Sequence, residues 1–577
     1  MNRLSFTLLF TLLLAAGCQS TPANQQTIMT NGMVATAHPL ATNAAREVLN
    51  QGGNAADAAV AAGFALAVVE PSMSNLGGRI QILVRSPDDR YQGYNGMTEV
   101  PAAYEPPEEP VSQGYGVVAT PGVVAGLARL HADHGSLPWS VVLQEPARIA
   151  RDGFALLPGA AARHERGLDR FKDNPGFQPV FIEGDGSAYD AGDLLQQPAL
   201  ARTITRLAET GADDFYRGEM AQQIAADMAA NGGHVTAEDL AAYRVLDGRN
   251  ITTRYRGYDI HTLAAPAGGG LVVKALNILE NFDMAALTQA QWAAVMNQAL
   301  ALTINSVADD PAELDLDHVA DKTWAARQAA GIRIPPATSV STTVTSSTEK
   351  ELLLSSTTDW TGSHWGQDSH HTSHFTIADC DGRIVSITQT VGPLFGAKVI
   401  TLELGFVYAA TMGSYLSAAD QTPGSRPRTT IAPTVVTRDG EVVLALGAAG
   451  GIRILSAIVQ TISRHLDQGH DPITAVALPR VHPQRGETES GERVTYAEKM
   501  NLEMTPERGW PIAVADYLKT AGFEVVSVEQ HASFGRVHLV AWIGDAWQGV
   551  ADPDWEGTAA SASCRPPLLP NLDKHGV

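Results

Sequence analysis

The spacing of apolar positions changes character along the chain. From Thr42 to Glu70 the sequence is rich in Ala, with Gly52-Gly53-Asn54 in its middle. A Gly after a periodic stretch stops a helix, so the pattern predicts two tightly packed, buried helices. Asn75-Leu76-Gly77-Gly78 then punctuates the entry to a predicted strand, Ile80 to Val84. Pro101 to Pro110 reads as an extended loop, and Leu195 to Asp239 as mostly helical with a break at Asn231-Gly232-Gly233. Thr338 to Thr358 is dominated by Ser and Thr, apolar only at Leu352 to Leu354, and reads as a mobile linker.

Beyond that linker the period shortens to that of strands. Phe375 to Ala378 and Ile384 to Thr390 flank Asp379-Cys380-Asp381-Gly382, a hairpin signal. Pro433 to Thr437 and Glu441 to Leu446 flank Asp439-Gly440 in the same way, and Val537 to Trp542 and Trp547 to Val550 flank Gly544-Asp545. The strand ending at Leu446 runs through Gly447-Ala448-Ala449-Gly450-Gly451 into a helix whose Leu455, Ile458, Ile462 and Leu466 share one face. The expectation is a helix-rich N-terminal half and a sheet-rich C-terminal half, without an internal repeat.

The first residues form a different unit. Arg3 precedes an apolar run, Leu4 to Ala16, of signal-peptide length and short for a membrane span. It ends in Ala15-Ala16-Gly17-Cys18, which resembles a bacterial lipobox, in which Cys18 is lipidated after cleavage before it. A polar stretch to about Gln26 reads as a tether, so the expected location is periplasmic or outer-membrane-anchored. Lys and Arg number 40 against 62 Asp and Glu, a formal charge of −22, which argues against a nucleic-acid partner. Hydrophobic residues at 44% over 577 positions supply a large core. Three cysteines, Cys18, Cys380 and Cys564, are too few for a disulfide framework, a Cys-based zinc site or an iron–sulfur cluster.

Candidate chemistry concentrates in two places. His371-Thr372-Ser373-His374 sits where the linker meets a strand, and Gly450-Gly451 sits in a strand–turn–helix passage. Unpartnered N–H groups at a helix start favour negative charge and can hold an oxyanion. His364, His370, His371 and His374 cluster near the first place, but no nearby Cys and no H-E-x-x-H helix supports zinc, so no metal and no cofactor is expected. Cys380, among acidic neighbours, reads as incidental. Trp360, Trp365, Trp542, Trp547 and Trp555 read as packing, and Asp552-Pro553 as a structural turn.

Together with NAAREVLNQGGNAADAAVAAGFALAVVEPSMSNLGG, HTSHFTIADCDGRIVSITQT, RPRTTIAPT, LGAAGGIRI and GVADPDWEGTA, these pieces resemble the γ-glutamyltransferase (γ-glutamyltranspeptidase) family of N-terminal nucleophile hydrolases, from about Gly32 to Ala560. The resemblance implies an α+β fold, a four-layer αββα sandwich. It also implies a precursor that cuts itself between His371 and Thr372. The parts are then a lipoprotein signal peptide (1–18), a large subunit (19–371, with 338–371 leading to the cut) and a small catalytic subunit (372–577) that stays associated. Thr372 becomes the nucleophile and its freed α-amine the base; before the cut that nitrogen is an amide and cannot serve. Thr390 matches the Thr that hydrogen-bonds the nucleophile's amine. Gly450 and Gly451 match the oxyanion pair, and Thr429 and Thr430 fall on a Ser-Ser pair that holds a substrate carboxylate.

The match departs in the donor pocket. Asn95 stands where the family carries a carboxylate-binding Arg, Ser414 where it carries an amine-binding Asp, and Gly392 and Thr411 where helper residues fall. Arg79 interrupts a glycine run and offers the pocket a new guanidinium, or else is a surface Arg. The stretch from Ser414 to Arg426 is short beside members with a lid loop. The expected function is an amide hydrolase or transferase, of γ-glutamyl-like or other acyl donors, poorly fitted to an unmodified γ-glutamyl compound such as glutathione. The alternative is a catalytically inactive, lipid-tethered binding homologue.

Overall fold

Two sheets lie face to face in the computed structural model, which describes residues 31–306, 315–337, 371–416, 420–488 and 493–563. The first has seven strands, in the order Thr558–Ser563, Asn31–Thr36, His371–Ala378, Ile384–Gly392, Arg79–Arg85, Tyr91–Gly96 and Leu246–Gly248. The second has six, in the order Ala546–Ala551, Arg536–Ile543, Glu441–Ala449, Thr434–Arg438, Tyr258–Leu263 and Asn250–Tyr255. All neighbours within both sheets run antiparallel.

Alternation along each strand builds the layers. Ala35, Leu83, Leu263, Val435, Ala445 and Val540 point between the sheets and form one core. Their neighbours Val34, Ile82 and Val84 point outward against the helices of the first side, and Ile260, Val436, Leu444 and Leu539 against those of the second. The result is helix, sheet, sheet, helix, the αββα sandwich expected. The two Ala-rich helices are Pro39–Asn50 and Ala55–Val69, and every residue of the second is buried. Asn54 caps that helix in a reciprocal box with Asp57, which is why the break falls at Gly52-Gly53-Asn54. The three expected hairpins form as His371–Ala378 with Ile384–Gly392, Thr434–Arg438 with Glu441–Ala449, and Arg536–Ile543 with Ala546–Ala551.

Two expectations need correction. The halves do not separate into helices and sheet: Asn31–Thr36, Arg79–Arg85 and Tyr258–Leu263 enter sheets whose centres come from the C-terminal half. Short N-terminal strands such as NGMVAT carry too weak an alternation to be seen before their partners are known. Cys380 is not incidental but sits in a disulfide, whose other cysteine lies outside the described residues. The linker, the lipobox with Cys18, and His364, His370, Trp360 and Trp365 also lie outside them. Trp542 and Trp547 pack edge to face across their hairpin.

His164 gives the helical layer a pH sensitivity. It is fully buried between Phe181 and Phe395, ring centroids 5.4 and 5.1 Å away, and among the described residues neither ring nitrogen has a hydrogen-bond partner. Burial, reinforced by Arg163, pulls its pKa down to about 3. It is therefore neutral in the fold, whereas an unfolded histidine protonates near about 6.5. Its contribution is lost as pH falls through that window, at up to about 1.4 kcal/mol per pH unit. His164→Leu is expected to raise the melting temperature more at pH 5 than at pH 7.5; an equal gain at both values would contradict this origin.

Candidate active site

Thr372 is the second residue of the strand His371–Ala378 and is buried. The pairing with Ile384–Gly392 holds Gln389 opposite Ser373 and Gly392 opposite His371, so Thr390 and Val391 together oppose Thr372. This is a β-bulge, which bends the strand and re-aims a side chain. The Thr372 hydroxyl donates to Thr390 Oγ1 at 3.3 Å. Thr390 Oγ1 in turn donates to the carbonyl oxygen of His371 at 2.5 Å and accepts from Gly392 N–H at 2.9 Å. One hydroxyl thus touches both the hydroxyl of Thr372 and the carbonyl of the His371–Thr372 peptide bond.

Arg79 lies in register with Thr390 on the next strand. Its side chain is partly buried and tied to its neighbours. Its Nη1 donates to Thr411 Oγ1 at 3.3 Å and to the Ala410 carbonyl at 3.4 Å, and Thr411 Oγ1 also contacts Thr98 Oγ1 at 3.0 Å. Gly392, at φ +91°, leaves open the space a side chain would fill 3.5 Å from Arg79 Nη2. Asn95 is buried and already used: its Oδ1 accepts from Gln81 Nε2 at 3.0 Å and from Met97 N–H at 3.1 Å. Ser414 is exposed in the turn Gly413–Tyr415, with its N–H on the Val111 carbonyl.

The facing sheet supplies the glycine turn. Gly450 and Gly451 have φ of +126° and +59°, values that a side chain disfavours. They link Glu441–Ala449 to the helix Arg453–Leu466, and Thr430 Oγ1 donates to the Gly451 carbonyl at 2.8 Å. Thr429 is held by its N–H on the Pro266 carbonyl and borders a cavity of about 30 Å³ beside Gly268 and Arg428. That space is enough for a water molecule. The two sheets meet where Gly447 lies flat against the ring of His374. His374 is bonded on both nitrogens, to Thr388 Oγ1 and Thr376 Oγ1 at 2.7 and 2.9 Å, and burial lowers its pKa well below the usual value. Among the described residues no group of three or more His, Cys, Asp or Glu is placed to hold a metal ion.

Beneath Thr372 lies a polar cluster that sequence reasoning missed. Ser373, pointing to the opposite face, donates to Glu70 Oε2 at 2.5 Å and accepts from Ser74 Oγ at 3.1 Å. Trp555 Nε1 donates to Glu70 Oε1 at 3.0 Å, and the guanidiniums of Arg163 and Arg536 lie 4.3 and 4.1 Å from the Trp555 ring centroid. Burial raises the Glu70 pKa, while Arg163, Ser373 and Trp555 pull against it. The only signal in the sequence was a carboxylate closing a helix that is apolar from Ala58 to Val69. Glu70→Ala is expected to cost about 3 kcal/mol in denaturant unfolding, because two buried donors lose their acceptor and Arg163 loses a counter-charge. Glu70→Gln, which keeps an acceptor, is expected to cost less; equal costs would contradict this account. Asp552, read as structural, pairs with Arg480 at 2.6 Å and accepts from Val537 N–H.

The gamma-glutamyltranspeptidase family model matches residues 41–562. The chain is 30% identical over 484 residues to a glutathione hydrolase proenzyme of Escherichia coli strain K12, covering 78% of this chain and 81% of that protein. It is also 30% identical over 571 residues to the acylase ACY 1 proenzyme of Pseudomonas sp. strain SE83, covering 95% and 93%. A crystal structure of cephalosporin acylase from Bacillus halodurans has the same fold, with a TM-score of 0.76 at 24% identity over 95% of this chain and 99% of that one. The chain is therefore a member of the gamma-glutamyltranspeptidase family of enzymes.

Proposed function

We propose that this protein is a self-processing threonine hydrolase or transferase that cleaves an amide through an acyl-Thr372 intermediate. The observation that carries the reading is the double role of Thr390 Oγ1, bonded to the Thr372 hydroxyl and to the His371 carbonyl oxygen. In the uncut chain, Thr372 Oγ1 attacks the His371 carbonyl carbon, and negative charge gathers on the oxygen to which Thr390 already donates. The C–N bond then breaks, the nitrogen takes a proton, and the His371 acyl group is left as an ester on Thr372. Water hydrolyses that ester, freeing a carboxylate at His371 and the hydroxyl of Thr372, beside the amine released when the C–N bond broke.

The freed amine then serves as base for the hydroxyl on the same residue. An amide donor acylates Thr372 with its amine leaving, and water or an acceptor amine removes the acyl group. The N–H groups of the Gly450-Gly451 turn would stabilise the oxyanion of this second reaction. Export and attachment through Cys18 belong to the same proposal, supported by the apolar run before Cys18 and by a disulfide at Cys380, which suits an oxidising compartment.

The test is the mature protein itself. A denaturing gel should show two polypeptides, with N-terminal sequencing of the smaller starting at Thr372, and an acyl p-nitroanilide should release its chromophore. A protein that stays whole and turns over nothing would move the inactive binding homologue ahead.

A further inference from the structure

We propose that Glu70 and Ser74 are positioning residues: the turn at 70–74 grips the chain neighbours of Thr372 and Thr390 from the far face of the sheet and so sets the reach between the two hydroxyls. The inference rests on Thr372 as nucleophile and adds what holds it in place.

Successive residues of a strand face opposite ways. Thr372 faces the gap between the sheets, as does His374, whose ring meets Gly447 of the second sheet. Ser373 faces the first helical layer, with Phe375 and Ile377. Gln389 is directly opposite Ser373 and shares that far face. There the side chains form one chain of hydrogen bonds. Gln389 Nε2 donates to Ser74 Oγ at 3.2 Å, Ser74 Oγ to Ser373 Oγ at 3.1 Å, and Ser373 Oγ to Glu70 Oε2 at 2.5 Å. A hydroxyl has one proton to give, so the direction of the chain is fixed by its end, and that end is a carboxylate, which only accepts. All four residues are buried, and bonds aligned head to tail in such surroundings strengthen one another.

Glu70 is fixed to the body of the protein through its other oxygen. Trp555 Nε1 donates to Glu70 Oε1 at 3.0 Å, and Arg163 Nη2 lies 3.9 Å from it. Gln389 is fixed as well, through a second bond from Nε2 to the Gly63 carbonyl at 2.9 Å; a Cβ at Gly63 would stand 3.3 Å from Gln389 Oε1.

The same turn holds the bulge by its backbone. Val391, which with Thr390 opposes Thr372, donates its N–H to the Met73 carbonyl at 3.1 Å. The turn closes on the Glu70 carbonyl, which accepts from Met73 N–H at 2.9 Å and from Ser74 N–H at 3.0 Å. Ser373, Gln389 and Val391 flank the two threonines in the chain, and all three are tied to residues 70–74. The Thr372–Thr390 bond, at 3.3 Å, is near the long limit for two hydroxyls, so a small slip of either strand breaks it.

Self-cleavage of folded, uncut protein is timed by intact mass, below the melting transition, in wild type and in each variant. Tyr255→Phe is the control for stability alone: the Tyr255 hydroxyl donates to Asp467 Oδ2 at 2.6 Å on the second helical side. Ser373→Ala and Ser74→Ala break the chain, and Glu70→Gln leaves one accepting oxygen for two donors. Each is expected to slow self-cleavage by about 10-fold or more, the scale of a misplacement of under about 1 Å. Ser373→Thr should restore most of the rate, and Tyr255→Phe should lose stability at an unchanged rate. Cutting at the wild-type rate in Ser373→Ala, Ser74→Ala or Glu70→Gln overturns the proposal. So does equal slowing in Tyr255→Phe, or a Ser373→Thr rate no better than that of Ser373→Ala. Should the wild type remain whole, the nucleophile reading fails by itself. Crystal structures of the uncut proteins then decide the positioning: a Thr372–Thr390 contact opened beyond hydrogen-bond reach in Ser373→Ala supports it, and an unmoved contact overturns it.

Discussion

Thr372→Ala should leave the polypeptide uncut at full length, and acyl-anilide hydrolysis should fall by about 10⁴-fold or more. The loss has two causes that one methyl group cannot replace. The hydroxyl that attacks the His371 carbonyl is gone, so the amine is never released, and the nucleophile of the mature reaction is gone with it. The substitution should not unfold the protein, because among the described residues Thr372 Oγ1 makes a single hydrogen bond, to Thr390. Thr372→Ser, which keeps the hydroxyl and drops the methyl, should still be cut, though more slowly. Intact-mass measurement reads the outcome directly. A Thr372→Ala preparation that still splits at this bond would sink the assignment.

Thr390→Val should slow self-cleavage by about 10²–10³-fold, the effect of removing one donor from a developing oxyanion. Valine keeps the β-branched shape that suits a strand, so the change is the loss of the hydroxyl. Three bonds go with it: the donation to the His371 carbonyl, and the acceptance from Thr372 and from Gly392 N–H. The last leaves a buried N–H without a partner and should lower stability by about 1–3 kcal/mol. Separating the two effects needs a time course: the uncut protein is incubated folded, below its melting transition, and the fragment is quantified. Thr390→Ser should recover most of the rate. If Thr390→Val is cut as fast as the wild type, the contact with the His371 carbonyl has no role in the reaction.

The candidate site divides by how local its parts are. The strand at His371–Ala378, the glycine turn at Gly450-Gly451 and the helix after it follow from nearest neighbours: a period of two, then glycines at positive φ, then apolar residues on one face. Arg79 could be flagged as an oddity from its position beside two glycines. Whether it was a free surface cation or a partly buried guanidinium beside Thr390 depended on which strand lay beside its own, and that strand is some three hundred residues away. Ser414, which the order of motifs puts at the donor pocket, is exposed in the turn Gly413–Tyr415, a feature that motif order does not give.

Glu70 was beyond reach for the same reason. Its partners Ser373 and Trp555 are 303 and 485 positions away, and nothing near Glu70 announces them. Composition, hydrophobic period and contiguous motifs determined the family and the C-terminal hairpins, because each is written in consecutive residues. Pairing of distant strands decided the bulge that aims Thr390, the place of Arg79 beside it and the cluster under Thr372. Such contacts form only when segments hundreds of residues apart close into the same pair of sheets.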